Sequence, residues 1–162
     1  MIIIVFGLAA SGKTYVAQLL EKYFGFHHQD ADQWLSEEMK RYIHEKKLFT
    51  LEMLEDFTSN IIAKIEKIKA DYPNVVISQA LYRQKNREEI KKHFFGQDLM
   101  FIQVDAGDEV IYQRLINRGD WVFPEYASSM RQFFEPMADV KIIKNNQSGD
   151  EDIRAQLTSI LK

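Results

Sequence analysis

Residues 7–14 read Gly-Leu-Ala-Ala-Ser-Gly-Lys-Thr, a G-x-x-x-x-G-K-[ST] pattern without a mismatch. From average residue usage, such a match arises by chance in about half a percent of chains of this length. The flanking segments narrow the reading. Ile2–Phe6 is a run of β-branched and aromatic residues, apolar on both faces, which suits a central parallel strand covered by helices. Lys13–Phe24 carries Val16, Ala17, Leu19, Leu20 and Tyr23 at helical spacing, and Gly25 is placed to stop that helix. A buried strand, a glycine-bounded loop and an amphipathic helix in this order make a phosphate-binding loop. The alternative is a glycine-rich turn with an incidental lysine, and the match in its context outweighs it.

The chemistry of such a loop follows from its residue types. Gly7 and Gly12 admit backbone torsions that a Cβ would block. The N–H groups of Ala9, Ala10, Ser11 and their neighbours then converge on phosphate oxygens at the positive end of the following helix. Lys13 supplies a point charge to the β- and γ-phosphates, and the Thr14 hydroxyl is a ligand for Mg²⁺. ATP and Mg²⁺ are therefore the expected cofactors.

Further along, strands alternate with helices. A short strand is expected over 26–30, helices over 31–47 and 51–72, and a strand over 75–78 after the break at Pro73-Asn74. A helix over 86–95, a strand over 99–104 and a helix over 109–118 follow, the last ended by Gly119. Residues 120–136 are aromatic and irregular, read as a lid with a short helix. A fifth strand is expected over 140–144, then a closing helix over 150–161. The pattern predicts an α/β fold: a P-loop NTPase of three α/β/α layers, with a five-stranded parallel sheet and a short lid at about 119–137.

With 162 residues, one domain over 1–162 is expected. Lys plus Arg total 21 against 24 Asp plus Glu, a net charge of −3, which argues against nucleic acid as the main partner. The chain has no cysteine, so disulfides, zinc-thiolate sites and Cys nucleophiles are excluded. Residues 1–10 have no basic region before them and are too short to span a bilayer, and no other stretch is long enough. A cytoplasmic protein without membrane partner is expected, and a homodimer stands as an option.

Asp30 and Asp32, two apart at a strand end, point roughly the same way and end beside the phosphate loop. Two readings are open. One or the other caps the next helix, or Asp30 holds metal-bound water while Asp32 accepts the proton of an attacking hydroxyl. The strand over 75–78 ends without a carboxylate, which favours Asp30 as the metal's partner alongside Thr14; Ser78 and Gln79 there are candidates for water, substrate or metal, or simply a strand end. Arg114 and Arg118 lie four apart on one helix face beside the lid. They are candidates for stacking on the base or for neutralising charge on the transferred group, with a solvated surface role as the alternative. Arg83, Arg87 and Arg131 are candidates for binding an anionic substrate, against a solvated helix face. Trp121, Phe123 and Tyr126 are candidates to close over substrate and exclude water. His27 and His28 show no metal-ligand spacing and are read as incidental.

Over nearly its whole length the chain resembles small phosphate-loop kinases of the nucleotide, shikimate and gluconate kinase group. The likeness rests on residues 7–14, Asp30-Ala31-Asp32, Ser78-Gln79-Ala80-Leu81, the helix with Arg114 and Arg118, and the lid through Glu135-Pro136. Gluconate kinases are the most similar within the group. Their Ser-Ala-Leu-Lys and Tyr-Arg segments are similar to Gln79-Ala80-Leu81-Tyr82 and Asn86-Arg87, and their Glu-Pro segment to Phe133-Phe134-Glu135-Pro136. Two positions depart: Tyr82 stands where those kinases have lysine, and no histidine follows Asp32 closely. The resemblance implies an ATP-dependent kinase acting on a hydroxyl of a small metabolite, such as the sugar acid gluconate, with Lys13, Asp32 and Arg118 as catalytic residues. Shikimate kinases share the D-x-D but carry a triple glycine that residues 78–81 lack, and dephospho-coenzyme A kinases share Asp-Ala-Asp. Nucleoside or nucleotide kinases, a polynucleotide 5′-hydroxyl kinase and an ATP-binding regulatory switch complete the alternatives.

Overall fold

The apolar N-terminal run forms strand β1 (Ile2–Phe6), with all its side chains buried. Successive side chains of a strand point to opposite faces. Ile2, Ile4 and Phe6 therefore enter one core, and Ile3 and Val5 the other. The computed structural model describes residues 1–119, 124–146 and 149–162. After β1 come α1 (Lys13–Phe24), β2 (His27–Asp30), a 3-10 turn at Ala31–Trp34, α2 (Glu37–His44), α3 (Leu51–Lys69), β3 (Val75–Ser78) and α4 (Gln84–His93). β4 (Leu99–Asp105), α5 (Asp108–Arg118), α6 (Pro124–Arg131), β5 (Lys141–Lys144) and α7 (Asp150–Ile160) complete the order.

The strands make one five-stranded sheet in the order β2-β3-β1-β4-β5. Every pairing is parallel, with Ile4 of β1 opposite Ile77 of β3 and Phe101 of β4. Helices α1 and α7 cover one face through Val16, Leu20, Ile153 and Leu157. Helices α2, α3 and α4 cover the other through Met39, Ile43, Phe57, Ile61, Ile65 and Ile90. This is the expected α/β/α phosphate-loop fold. A smaller cluster of Ala10, Ala106, Ile111, Leu115 and Ala127 joins α5 and α6 to the loop after β1. β1 has its neighbours on both sides from later in the chain, so the loop after it opens at the sheet's switch point, where ligands of such folds bind.

One expected helix is divided. The span 31–47 is a 3-10 turn followed by α2, because two polar side chains compete with the helical ladder. Asp30 accepts the Asp32 N–H at 3.0 Å and opens the turn, and Ser36 accepts the Met39 N–H at 3.1 Å and starts α2 afresh. Thr50 caps α3 in the same way, through Met53 N–H at 3.1 Å. Helix α3 ends at Lys69 rather than near 72, in a turn where the N–H groups of Asp71 and Tyr72 still reach the Ile68 carbonyl. The short helix expected in the lid is α6. Among the described residues, no helix is long and apolar enough to cross a membrane.

Candidate active site

The loop between β1 and α1 is held from behind. Gly7 has φ +150°, and a Cβ there would strike the Val104 carbonyl of β4. Gly12 has φ +100°, and a Cβ there would fall on the Asn145 amide. Both glycines are thus required by torsion and by close approach. The Ser11 carbonyl accepts from Asn145 Nδ2 at 3.0 Å and from Arg114 Nη1 at 3.1 Å. Arg114 also donates to the carbonyls of Ala10 at 3.2 Å and Asn145 at 3.0 Å. The carbonyls of Ala10 and Ser11 are therefore satisfied on the loop's outer side. Helix α1 begins with no capping side chain and no acidic residue in its first turn. Its first amides have no intrahelical partner, and with the helix dipole they form a site for an anion.

Charged side chains converge in front of the loop. Lys13 Nζ donates to the Leu8 carbonyl at 2.9 Å. Burial lowers its pKa to about 8, against the upward pull of Asp32 and Asp30 and with a further downward push from Arg118. Thr14 Oγ1 donates to Asp30 Oδ2 at 3.1 Å, while Asp30 Oδ1 takes the Asp32 N–H. Asp30 thus caps the turn, as one of its two readings has it, and also faces Thr14. Asp32 is open to the cavity yet walled by protein. Burial and then the Asp30 charge raise its pKa, while Lys13, a hydrogen bond from Gln79 and Arg118 pull it down. Gln79 Nε2 donates to Asp32 Oδ1 at 3.0 Å, and Gln79 Oε1 accepts the Ala80 N–H at 2.5 Å. The side chain of Gln79 is locked at both ends and sets the orientation of Asp32.

These residues share one cavity of about 480 Å³. Ala9, Ala10, Gly12, Lys13, Thr14, Asp30, Asp32, Arg83 and Arg118 all line it. Arg118 lies at the C-terminal end of α5, where Gly119 at φ +58° ends the helix. Three of the other candidate arginines lie elsewhere. Arg114 is behind the loop, bonded to its carbonyls rather than in the cavity. Arg87 is 1% exposed, and its Nη1 donates to the carbonyls of Leu81 and Tyr82 at 2.5 and 3.1 Å. Its Nη2 donates to the carbonyls of Glu135 and Pro136 at 2.6 and 3.3 Å, so it pins the segment after α6 to the β3–α4 connection. Arg131 pairs with Asp108 and lines a separate cavity of about 210 Å³ with Leu8 and Phe134. Arg83 remains at the main cavity, its guanidinium 5.9 Å from the Phe133 ring. Tyr126 lines the cavity from α6, whereas Trp121 and Phe123 lie outside the described residues.

Several contributors were not legible as such. Asn145, outside every element and site expected from the sequence, is 3% exposed and buttresses the loop from the end of β5. A polar residue closing a parallel strand was the available signal. Tyr82 accepts the Ala9 N–H at 3.2 Å and so touches the loop directly. His28, outside the cavity lining, is bonded to Ser78 Oγ at 3.0 Å across β2 and β3.

Among the described residues, no group of three His, Cys, Asp or Glu side chains is gathered to hold a metal ion. Thr14 and Asp30 in mutual contact are hard oxygen donors. This fits Mg²⁺, which takes one or two protein oxygens and completes its shell with substrate phosphate and water.

Residues 3–121 match the AAA domain family. No curated protein matches by sequence. Among solved structures, an unliganded sugar kinase from Janibacter sp. HTCC2649 superposes with a TM-score of 0.82 at 20% identity, covering 99% of this chain and 93% of that one. A gluconokinase from Sinorhizobium meliloti 1021 superposes with a TM-score of 0.77 at 18% identity, covering 98% and 91%. At these identities the shared property is the fold.

Proposed function

The chain belongs to the AAA domain family, and on that premise we propose that it is an ATP-dependent kinase of one domain that transfers the γ-phosphoryl group to a hydroxyl of a small metabolite. The observation that carries this reading is the meeting of Lys13, the Thr14–Asp30 pair and an Asp32 oriented by Gln79 in a single cavity. A slow nucleotide switch has no need of an oriented carboxylate on the acceptor side. Net charge of −3 also speaks against a polynucleotide acceptor.

The chain's own groups divide the work. The amides at the start of α1 and the Lys13 ammonium take up the negative charge of the β- and γ-phosphates. Thr14 and Asp30 are the residues that would hold Mg²⁺, which would supply neutralising charge to the phosphates. Asp32 accepts the proton of the acceptor hydroxyl as its oxygen bonds to the γ-phosphorus, and the bond to the β-phosphate oxygen breaks to release ADP. Arg118, facing the same cavity, stabilises the charge on the transferring group. Catalysis is then mostly positioning and charge neutralisation.

The resemblance to gluconate kinases, and the names of the two superposed structures, make a sugar acid such as gluconate the first acceptor to test. Shikimate, nucleosides, nucleotides and dephospho-coenzyme A complete the panel. Coupled detection of ADP release is expected to accelerate with one acceptor class. Asp32→Asn is expected to lower kcat by about a thousandfold, with ATP affinity retained. ADP release that no acceptor accelerates would replace the kinase with a nucleotide-binding switch.

A further inference from the structure

Past Asp32 the cavity changes character. Its wall there is formed by Leu35, Ile43, Phe49, Leu54, Phe57 and Met130, brought together from the turn after β2, from α2, α3 and the connection between them, and from α6. Three polar side chains beside them, Thr58, Asn86 and Tyr126, already have partners for their hydrogens. Thr58 Oγ1 donates to the Leu54 carbonyl at 2.8 Å. Asn86 Nδ2 donates to the same carbonyl at 3.3 Å and to Thr58 Oγ1 at 2.9 Å. The Tyr126 hydroxyl donates to the Lys47 carbonyl at 3.3 Å. Tyr82 brings an aromatic ring to the same cavity, in edge contact with Phe134 at 5.8 Å between centroids.

A sugar acid carries a hydroxyl on nearly every carbon. Each one buried against such a wall loses its bonds to water and regains few. An apolar body gains by leaving water there. We infer that the acceptor is an alcohol with an apolar, ring-bearing body, of the arylalkanol type, its hydroxyl at Asp32 and its ring against the α2–α3 wall. The reaction in this inference rests on the kinase reading. The acceptor class rests on the wall alone.

The test uses the full chain with ATP and Mg²⁺, comparing phenylpropanol and naphthylethanol with gluconate by ADP release and by phosphorus NMR of the product. At least one aryl probe is expected to exceed gluconate in kcat/KM by about tenfold or more. Leu54→Gln is expected to cut kcat/KM for that probe by about tenfold without changing the affinity for ATP. Leu48, half exposed at the rim of the same cavity, supplies Leu48→Gln as a second variant should the first not fold. Higher kcat/KM for gluconate overturns the inference, as does an aryl-probe rate that neither variant alters. Saturation-transfer NMR with a non-hydrolysable ATP analogue separates the two layers. Aryl probes that bind wild type but not Leu54→Gln, with no acceptor turned over, support the wall and sink the kinase. Aryl probes that fail to bind wild type sink the wall, whatever gluconate does.

Discussion

Lys13 carries its charge in surroundings that resist it, and this has a measurable sign. Its pKa falls from 10.5 to about 8, chiefly through burial. Between those values the unfolded chain holds the proton more tightly than the folded one, so the group's destabilising effect is full below about pH 8 and fades as pH rises towards 10.5. Lys13→Met is therefore expected to abolish phosphoryl transfer while raising the melting temperature of the unliganded protein at neutral pH. The gain is bounded by about 3 kcal/mol, since Asp30 and Asp32 lose a favourable neighbour. A phosphate chain restores the ammonium's pKa, so ATP binding is expected to take up a proton at about pH 9. Calorimetry in buffers of different ionisation enthalpy measures this, and a binding enthalpy independent of buffer would contradict it. That Lys13 belongs to a phosphate loop was legible from seven neighbouring residues. That its charge is strained was not, because the walls that bury it, and Arg118, arrive on other elements.

At the scale of elements, the site is assembled at the C-terminal ends of parallel strands. β1 leads into the loop, β2 into Asp30 and Asp32, and β3 into Gln79. Strand and helix spans were largely legible, since apolar alternation and helical spacing are local signals. The division of 31–47 was not, because Ser36 had to outcompete a plausible helical continuation. The partner of Gln79 was equally hidden, as it depends on β2 and β3 lying side by side with Asp30 opposite Ser78. Its hydrogen bond lowers the Asp32 pKa, so removing it raises that pKa further. Gln79→Leu is expected to move the acidic limb of the kcat/KM profile to higher pH and to cost about tenfold on that limb. The loss should shrink as pH rises and Asp32 ionises regardless. A uniform loss at every pH would mark Gln79 as merely structural.

For the whole molecule, two cores share one sheet, and β1 contributes alternate residues to each. Neither core can be dismantled without exposing the other side of the same strands. A single cooperative unfolding transition is expected, with coincident fluorescence and circular dichroism curves in urea and a midpoint raised by ATP with Mg²⁺. Two separated transitions would instead divide the chain into independent units. Arg87 reinforces the expectation, since it joins α4 to carbonyls 48 and 49 residues further along.

The phosphate loop, its strand and its helix, and hence the fold class, were determined by the sequence alone. They depend on contiguous residues, on glycine torsions and on local periodicity. The roles of the arginines were decided only by the tertiary structure. Arg83, Arg87, Arg114, Arg118 and Arg131 are chemically the same group, and what each does is set by what long-range packing places beside it. Arg118 meets the cavity, Arg114 meets loop carbonyls more than 100 residues away, and Arg87 meets the carbonyls of the β3–α4 connection and of the segment after α6. The apolar acceptor wall belongs with them. Each of its residues reads in sequence as ordinary core, and only the crossing of α2, α3 and α6 in front of Asp32 turns them into a binding surface.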